Sequence, residues 1–118
     1  MPDESTQVTD PEDKKLITLA RSTRARTGAR EGAAVRDQDG RTYAAATVDL
    51  PSLQLSAVQA AVAMALAGGS RGLEAVAVLG AADVAAEGDL AVVRDFAGSG
   101  VPLLVVAPDG TLRATAPS

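Results

Sequence analysis

Residues 52–69 (SLQLSAVQAAVAMALAGG) restrict the possible folds of this chain most strongly. They are predicted to form a helix that is capped at Ser52 and that ends at the glycine pair Gly68-Gly69. Past the first three residues, Ser56 and Gln59 are its only polar side chains, so apolar groups surround the helix axis almost completely. A helix that is hydrophobic on nearly every side is buried by more than one neighbour. We therefore expect this second helix to be covered by several other elements.

The composition indicates one domain with an unusual core. The chain has 118 residues, of which 47% are apolar, yet its aromatic residues are Tyr43 and Phe96 alone. A chain of this length suits a single hydrophobic core, here filled largely by alanine and valine. Each small side chain removes little area from water, at about 25 cal/mol per Å². We therefore expect a homo-oligomer, a dimer or tetramer, that buries the apolar second helix against a partner subunit.

The sequence contains no cysteine and no histidine. Disulfides, C-x-x-C redox chemistry and metal sites built on thiolate or imidazole are therefore excluded. Residues 1–13 carry five acids and no apolar run, unlike a secretory signal peptide, so we expect a cytoplasmic protein. The longest apolar stretch, residues 60–67, is far shorter than the roughly 20 residues of a membrane span, and we expect no membrane contact.

The charge is distributed unevenly around a net value of −4. Residues 1–13 are acidic, whereas Lys14 to Arg30 contain six basic residues and no acid. The favoured interpretation is a solvated helix face that the acidic tail neutralises, with contact to phosphate, RNA or an acidic protein as the alternative. Because aromatic residues for base stacking are scarce, nucleic acid is an unlikely partner.

Turn signals and hydrophobic periodicity predict the element order α-β-β-α-β-α-β-β. Residues 1–9 are expected to be disordered, and a single domain is expected over 10–116. The first helix starts with Asp10 as N-cap and Pro11 at its first position, and it ends at Gly28. The remaining elements are a hairpin over 32–48 around an Asp-Gly turn, a loop over 49–52, the second helix, a strand over 74–79, a helix over 88–97, and strands over 102–107 and 111–115. This order describes an α/β fold with three layers, α/β/α, in which helices cover both faces of a mixed five-stranded sheet.

Three blocks, in the right order and spacing, resemble the cytidine deaminase family. They are Gly32-Ala33-Ala34 with Asp39-Gly40-Arg41-Thr42-Tyr43 and Thr47-Val48-Asp49, then residues 53–69, then Val101-Pro102 with Pro108-Asp109-Gly110-Thr111. The first block is similar to the family's G-A-A, D-G-x-x-Y and N-V-E motifs. Together the blocks cover most of residues 12–115. The resemblance implies the family's α/β/α fold.

The resemblance also implies a zinc site, but this chain departs from it at each required position. In the family, one Cys or His and two further Cys hold zinc, and a Glu that is not a ligand transfers the proton. Here the ligand and the acid of the helix motif Cys-Ala-Glu correspond to Ser56 and Val58, and the P-C-x-x-C cysteines correspond to Ala86 and Asp89. A serine hydroxyl and one carboxylate are poor substitutes for such ligands. We therefore expect no zinc, no other cofactor and no catalytic residue.

The nucleoside pocket that the resemblance implies is altered as well. The family's ribose-binding Asn and Glu correspond to Thr47 and Asp49, and the phenylalanine before G-A-A corresponds to Ala29. The predicted vestigial pocket therefore consists of six positions, namely Thr47, Asp49, Ser56, Val58, Ala86 and Asp89.

Three other patterns have simpler interpretations. Asp83, Glu87 and Asp89 could together bind magnesium, but acids in a loop that leads to a helix more often cap it and aid solubility. Ser56 could be a nucleophile, but no histidine is present and both lysines lie in the first helix, so it lacks a base. The glycine-rich segment 68–72 follows a helix rather than opening one, which is the wrong polarity for a phosphate cradle.

Three functions fit these observations. The leading hypothesis is a non-catalytic, cytidine deaminase-like pseudoenzyme that acts as an interaction or regulatory subunit with an unidentified protein partner. The second is a module that binds a nucleoside or nucleotide weakly in the vestigial pocket. The third is a hydrolase of this family with an unconventional metal site.

Overall fold

The computed structural model describes residues 8–118, and its first helix begins and ends as the sequence predicts. Helix α1 spans Pro11–Thr27. The Asp10 carboxylate accepts a hydrogen bond from the Glu12 N–H at 2.8 Å, which caps the first turn. Gly28 adopts the left-handed conformation, with φ of 67°, and its N–H donates to the Arg24 carbonyl. Residues 1–7, which hold most of the expected disordered segment, lie outside the described residues, and Val8 packs partly buried beside the start of α1.

The main sheet has five strands in the order β2-β1-β5-β6-β7. β1 pairs antiparallel with both β2 and β5, β5 pairs parallel with β6, and β6 pairs antiparallel with β7. The sheet is therefore mixed, as predicted. The strands and the two further helices are β1 (Gly32–Asp37), β2 (Thr42–Ala46), β3 (Val48–Leu50), β4 (Leu53–Leu55), α2 (Ala57–Ala67), β5 (Leu73–Leu79), α3 (Glu87–Ala97), β6 (Pro102–Val106) and β7 (Leu112–Pro117).

Helices cover both faces of the sheet, which confirms the predicted three-layer architecture. On one face, Leu16 and Ala20 of α1 pack against side chains of β1, β5 and β6 such as Leu79. On the other face, Val58 of α2 and Val93 of α3 pack against inward side chains of the same strands. Since the central strands are buried on both faces, they are almost continuously apolar.

Gly32 allows α1 to lie directly on β1. A Cβ atom at this position would come within 2.1 Å of the Ala20 carbonyl oxygen and 2.8 Å of the Arg24 Cβ. No side chain fits there without moving the helix. The glycine of the G-A-A motif thus sets the close approach between the first helix and the first strand.

The start of the second helix was predicted wrongly. The segment 49–52, expected as a loop with Ser52 as the helix cap, instead belongs to a two-stranded hairpin of β3 and β4, with Ser52 in its turn. Ser56 is the N-cap of α2, because its Oγ accepts from the Gln59 N–H at 3.1 Å. The Gln59 side chain accepts in return from the Ser56 N–H at 2.9 Å, which completes a capping box.

Helix α2 is covered by the sheet and by α3, as its apolar sequence predicts, but one side stays open. Ala57, Val58 and Ala61 are fully buried. Met64 and Leu66 remain 46% and 58% exposed. Among the described residues, no helix combines the length and apolar content that crossing a bilayer requires.

Candidate functional site

A cleft of about 790 Å³ opens at one end of the fold. Its walls come from the end of α1 and the loop after it, from the β3–β4 hairpin, from the start of α2 and from the loop after β5. The lining residues are Arg24, Arg30, Glu31, Thr47, Val48, Asp49, Gln54, Leu55, Ser56, Ala81 and Ala82. This volume lies within the range typical of small-molecule sites.

Ser56 and Asp89, predicted from distant parts of the sequence, meet beside this cleft. Ser56 precedes α2 and Asp89 lies in the first turn of α3, so the N-termini of the two helices converge here. The Ser56 Oγ donates a hydrogen bond to Asp89 Oδ1 at 2.5 Å. Asp89 is only 4% exposed. The hydroxyl is thus engaged twice, as the helix cap and as a donor to a buried carboxylate.

A second acid, Glu31, adjoins this pair. Glu31 lines the cleft and also a small cavity of about 20 Å³ that Ala86 and Asp89 share. Burial raises the pKa of Glu31, and the Asp89 charge raises it further, against the opposing effects of the Ala57 N–H and the Arg30 charge. Burial likewise raises the pKa of Asp89, while the Ser56 hydrogen bond acts in the opposite direction. Both acids therefore hold a proton to higher pH than they would in water.

Thr47 braces the backbone of Glu31. The Thr47 hydroxyl accepts from the Glu31 N–H at 3.1 Å, and the Thr47 N–H donates to the Glu31 carbonyl at 3.2 Å. Thr47 therefore lines the cleft with its hydroxyl already bonded to the protein. Asp49 lines the cleft from the β3–β4 hairpin, where it is exposed and pairs with Gln54.

Arg113 of β7 holds the loop after β5 that forms another wall of the cleft. Its Nη1 donates to the Ala81 carbonyl at 2.9 Å and to the Ala82 carbonyl at 3.1 Å. The same nitrogen lies 3.5 Å from the Asp83 carboxylate. The position of this wall therefore depends on a side chain from the far end of the chain.

The structure separates Val58 from the other predicted pocket positions. Thr47, Asp49 and Ser56 line the cleft, and Ala86 and Asp89 line the small cavity next to it. Val58 is fully buried in the core between α2 and the sheet. At the position that corresponds to the family's catalytic acid, this chain therefore has an apolar side chain that packs in the core.

The donor atoms present do not fit the zinc ion that the resemblance implies. The Ser56 hydroxyl is bonded to Asp89, and Ala86 offers no side-chain donor. Throughout residues 8–118, no group of three or more acidic, histidine or cysteine side chains is placed to hold a metal. The three acids considered as magnesium ligands, Asp83, Glu87 and Asp89, do not form a metal site either. Asp83 pairs with Arg113, and Glu87 lies 3.4 Å from Arg94.

Sequence reasoning did not identify Glu31, Arg24 or Arg30 as site residues. Glu31 directly precedes the buried strand β1. A charged residue next to a buried strand was the sequence signal that could have indicated a site residue. The two arginines lie within the basic segment 14–30, but nothing local distinguishes them from the other basic residues there. Their place at the cleft follows from the packing of α1 on β1.

Comparisons with known proteins agree with this architecture. A family model described as cytidine deaminase-like matches residues 9–110. Among solved structures, the cytidine deaminase from Burkholderia pseudomallei is similar with a TM-score of 0.75 at 21% identity, over 86% of this chain and 89% of that chain. The corresponding values are 0.69, 20%, 90% and 94% for cytidine deaminase from Mycobacterium leprae.

Cytidine deaminase from Mycobacterium tuberculosis shows a similar likeness. Its TM-score is 0.67 at 26% identity, over 88% of this chain and 91% of that chain. No significant match is found among curated protein sequences.

Proposed function

This chain belongs to the cytidine deaminase-like family, and we propose that it is a non-catalytic member that acts as an interaction or regulatory subunit. The hydrogen bond between Ser56 and Asp89 carries the proposal. It joins two positions that correspond to zinc ligands in the family, and it leaves neither a soft donor nor an open coordination site between them.

The chemistry of deamination supports the same conclusion. Attack on the pyrimidine ring needs a metal-activated hydroxide and an acid that moves the proton. Val58 cannot carry a proton, and it lies within the core. Glu31 and Asp89 could each carry a proton, but without a metal-bound hydroxide they have no nucleophile to activate.

Catalysis is tested directly with the purified chain. After incubation with excess zinc, we expect no ammonia from cytidine or deoxycytidine above the protein-free rate, and no stoichiometric zinc by elemental analysis. The matched control is the variant S56C/V58E/A86C/D89C, which places the family's residues at the corresponding positions and is expected to retain zinc. Ammonia released by the unaltered chain would overturn the proposal.

The exposed apolar side of α2 is the surface that we assign to subunit association. Met64 and Leu66 project from it, whereas the helix carries no charged residue to keep it in water. We expect sedimentation to show a dimer or tetramer at micromolar concentration, and the variant M64E/L66E to sediment as a monomer. Val84→Glu, which alters a 70% exposed apolar residue in the loop after β5, should leave the assembly unchanged.

We expect this protein to act as an interaction or regulatory subunit in the cytoplasm.

The same variants test for a protein partner. Native lysate passed over the immobilised chain should yield one protein that binds the assembled form, so the monomeric M64E/L66E should fail to retain it and Val84→Glu should retain it. Equal retention by the unaltered chain and by both variants would show that the partner does not require the assembly through α2.

A second candidate function, binding of a nucleoside or nucleotide, is favoured by the cleft. The cleft has a ligand-sized volume, and polar side chains line it. Calorimetric titration with cytidine, uridine and their phosphates tests this function. A saturable signal at about millimolar concentration or below would favour a sensor over a purely structural subunit.

A further inference from the structure

We propose that the cleft binds a small molecule that carries a phosphate group, and that Arg24 and Arg30 hold this group. The inference rests on the second candidate function and adds the ligand class and the residues that select it. Two of the six basic residues between Lys14 and Arg30 line the cleft in the described structure, and they are these arginines.

Both guanidinium groups are available to a ligand. Among residues 8–118, ion pairs engage Arg36, Arg94 and Arg113, but none engages Arg24 or Arg30. Arg24 is partly buried and Arg30 is exposed. The Arg30 charge acts to lower the pKa of neighbouring Glu31, but no described acid forms an ion pair with either arginine. Two charged side chains on one wall of a cleft, without an ion-pair partner, attract an anion.

A hydrogen bond between the two arginines fixes them on the same wall. The Arg24 Nε donates to the Arg30 carbonyl oxygen at 3.1 Å. This bond ties the loop after α1 back to the helix, so Arg30 is held next to Arg24. It uses the inner nitrogen of Arg24, and the two outer nitrogens can still form the planar pair of donors that matches phosphate.

The two acids of the cleft, Glu31 and Asp49, form no ion pair with these arginines in the described structure. Burial and the Asp89 charge raise the pKa of Glu31, against the opposing effects of the Ala57 N–H and the Arg30 charge. Asp49 lies on the hairpin beside Gln54. A ligand with phosphate at one end, and hydroxyl or amino donors at the other, would satisfy both parts of the cleft.

A free monophosphate fits this arrangement better than a nucleic-acid strand does. The cleft lining includes no aromatic side chain on which successive bases could stack. Nucleoside monophosphates, sugar phosphates and inorganic phosphate share the required chemistry. The experiment therefore uses all three.

Calorimetric titration of the full chain with CMP, cytidine, ribose 5-phosphate and inorganic phosphate tests the inference. We expect CMP to bind at least about tenfold more tightly than cytidine, and R24Q/R30Q to lose at least about tenfold in CMP affinity. The matched control R21Q/R26Q removes two exposed arginines of α1 outside the cleft lining and should change CMP affinity less than about twofold.

Each outcome bears on the inference. Equal affinity for CMP and cytidine, equal loss in both arginine variants, or no saturation by any phosphorylated probe up to about 10 mM would overturn it. Binding of ribose 5-phosphate or inorganic phosphate as tight as that of CMP supports the phosphate site and excludes a contribution from the base. If the double variant unfolds, Arg30→Gln alone replaces it, because Arg30 is exposed. Ammonia from CMP would contradict the non-catalytic proposal and leave the binding result intact.

Discussion

Two serine–aspartate pairs in the described structure, each with a buried aspartate, behave in opposite ways. Ser70 donates to Asp37 at 2.6 Å between the end of β1 and the segment after α2. Ser56 donates to Asp89 at 2.5 Å beside the cleft. The two aspartates are 1% and 4% exposed. The Ser70 hydrogen bond lowers the pKa of Asp37, whereas burial raises the pKa of Asp89.

The number of donors around each carboxylate explains the contrast. Asp37 also accepts from the backbone N–H groups of Asp39 at 3.0 Å and Arg41 at 2.9 Å. These donors replace the water that the carboxylate loses, so its charged form is favoured. Asp89 accepts a hydrogen bond from Ser56 alone among the described residues, so the effect of burial on its pKa is the larger one. Hydrogen-bond donors therefore outweigh burial at Asp37 and favour the ion, whereas burial prevails at Asp89 and favours the protonated form.

Asp37→Ala is expected to have the largest effect on stability. The substitution leaves the buried Ser70 hydroxyl and two backbone N–H groups of the β1–β2 turn without their acceptor, so the melting temperature should fall by roughly 10 °C. Thermal denaturation followed by circular dichroism at pH 7 measures this change. Asp39→Ala, in the same turn but exposed, is the control and should melt within about 2 °C of the unaltered chain.

Ser56→Ala should lower the free energy of unfolding by about 1 kcal/mol, because it removes the N-cap of α2. Urea denaturation gives this value. Ser52→Ala is the matched control, since Ser52 lies exposed in the hairpin turn and should have no measurable effect. A larger loss for Ser52→Ala would contradict the observed start of the helix.

The two pairs should give opposite pH dependence. Asp37, with a lowered pKa, contributes stability that is present above its ordinary value of 3.8 and is lost as the pH falls through the folded-state value. Asp89, with a raised pKa, contributes stability that is full below 3.8 and is lost as the pH rises through the folded-state value.

Asp89→Asn should therefore gain stability relative to the unaltered chain between pH 3 and pH 7. We expect a gain below about 1 kcal/mol, because the adjoining cleft admits solvent that screens the charge. Asp37→Asn should show the reverse trend. Urea denaturation across this pH range gives both curves, and parallel curves for the two variants would refute the contrast.

Glu31→Gln should have the smallest effect, a gain of less than about 0.5 kcal/mol at pH 7. The substitution removes a charge that Asp89 disfavours and keeps the shape of the side chain. The coupling is tested by Asp89→Asn, in which the pKa of Glu31 should fall because the charge that raises it is gone, and NMR of the carboxyl carbons detects this. An unchanged Glu31 titration in Asp89→Asn would mean that the two acids do not interact.

Much of the fold could be predicted because its signals are local. The caps at Asp10 and Gly28, the Asp-Gly hairpin turn and the apolar strands lie where the sequence places them. The β3–β4 hairpin was missed because its strands have three residues each and mostly exposed side chains, so they lack a clear alternation. The true helix start carried its own signal, since Ser56 and Gln59 form the Ser-x-x-Gln pattern of a capping box.

The candidate site was predictable only in part. The resemblance placed Ser56, Asp89, Thr47 and Asp49 near one another, and the structure brings them to one cleft and its adjoining cavity. It gave no reason to include Glu31, because that residue lies outside the matching motifs. Val58 was included because of its position in the helix motif, but its side chain lies in the hydrophobic core rather than in the cleft.

From the order of its residues alone, this chain is limited to an α/β fold without thiolate or imidazole metal ligands. Caps, turns and hydrophobic periods act over a few residues, so they can be seen without coordinates. The pairing of Ser56 with Asp89 and of Ser70 with Asp37, each across 33 positions, depends on how helices dock on the sheet. Whether a buried acid keeps its charge depends on the donors gathered around it, and folding brings those together.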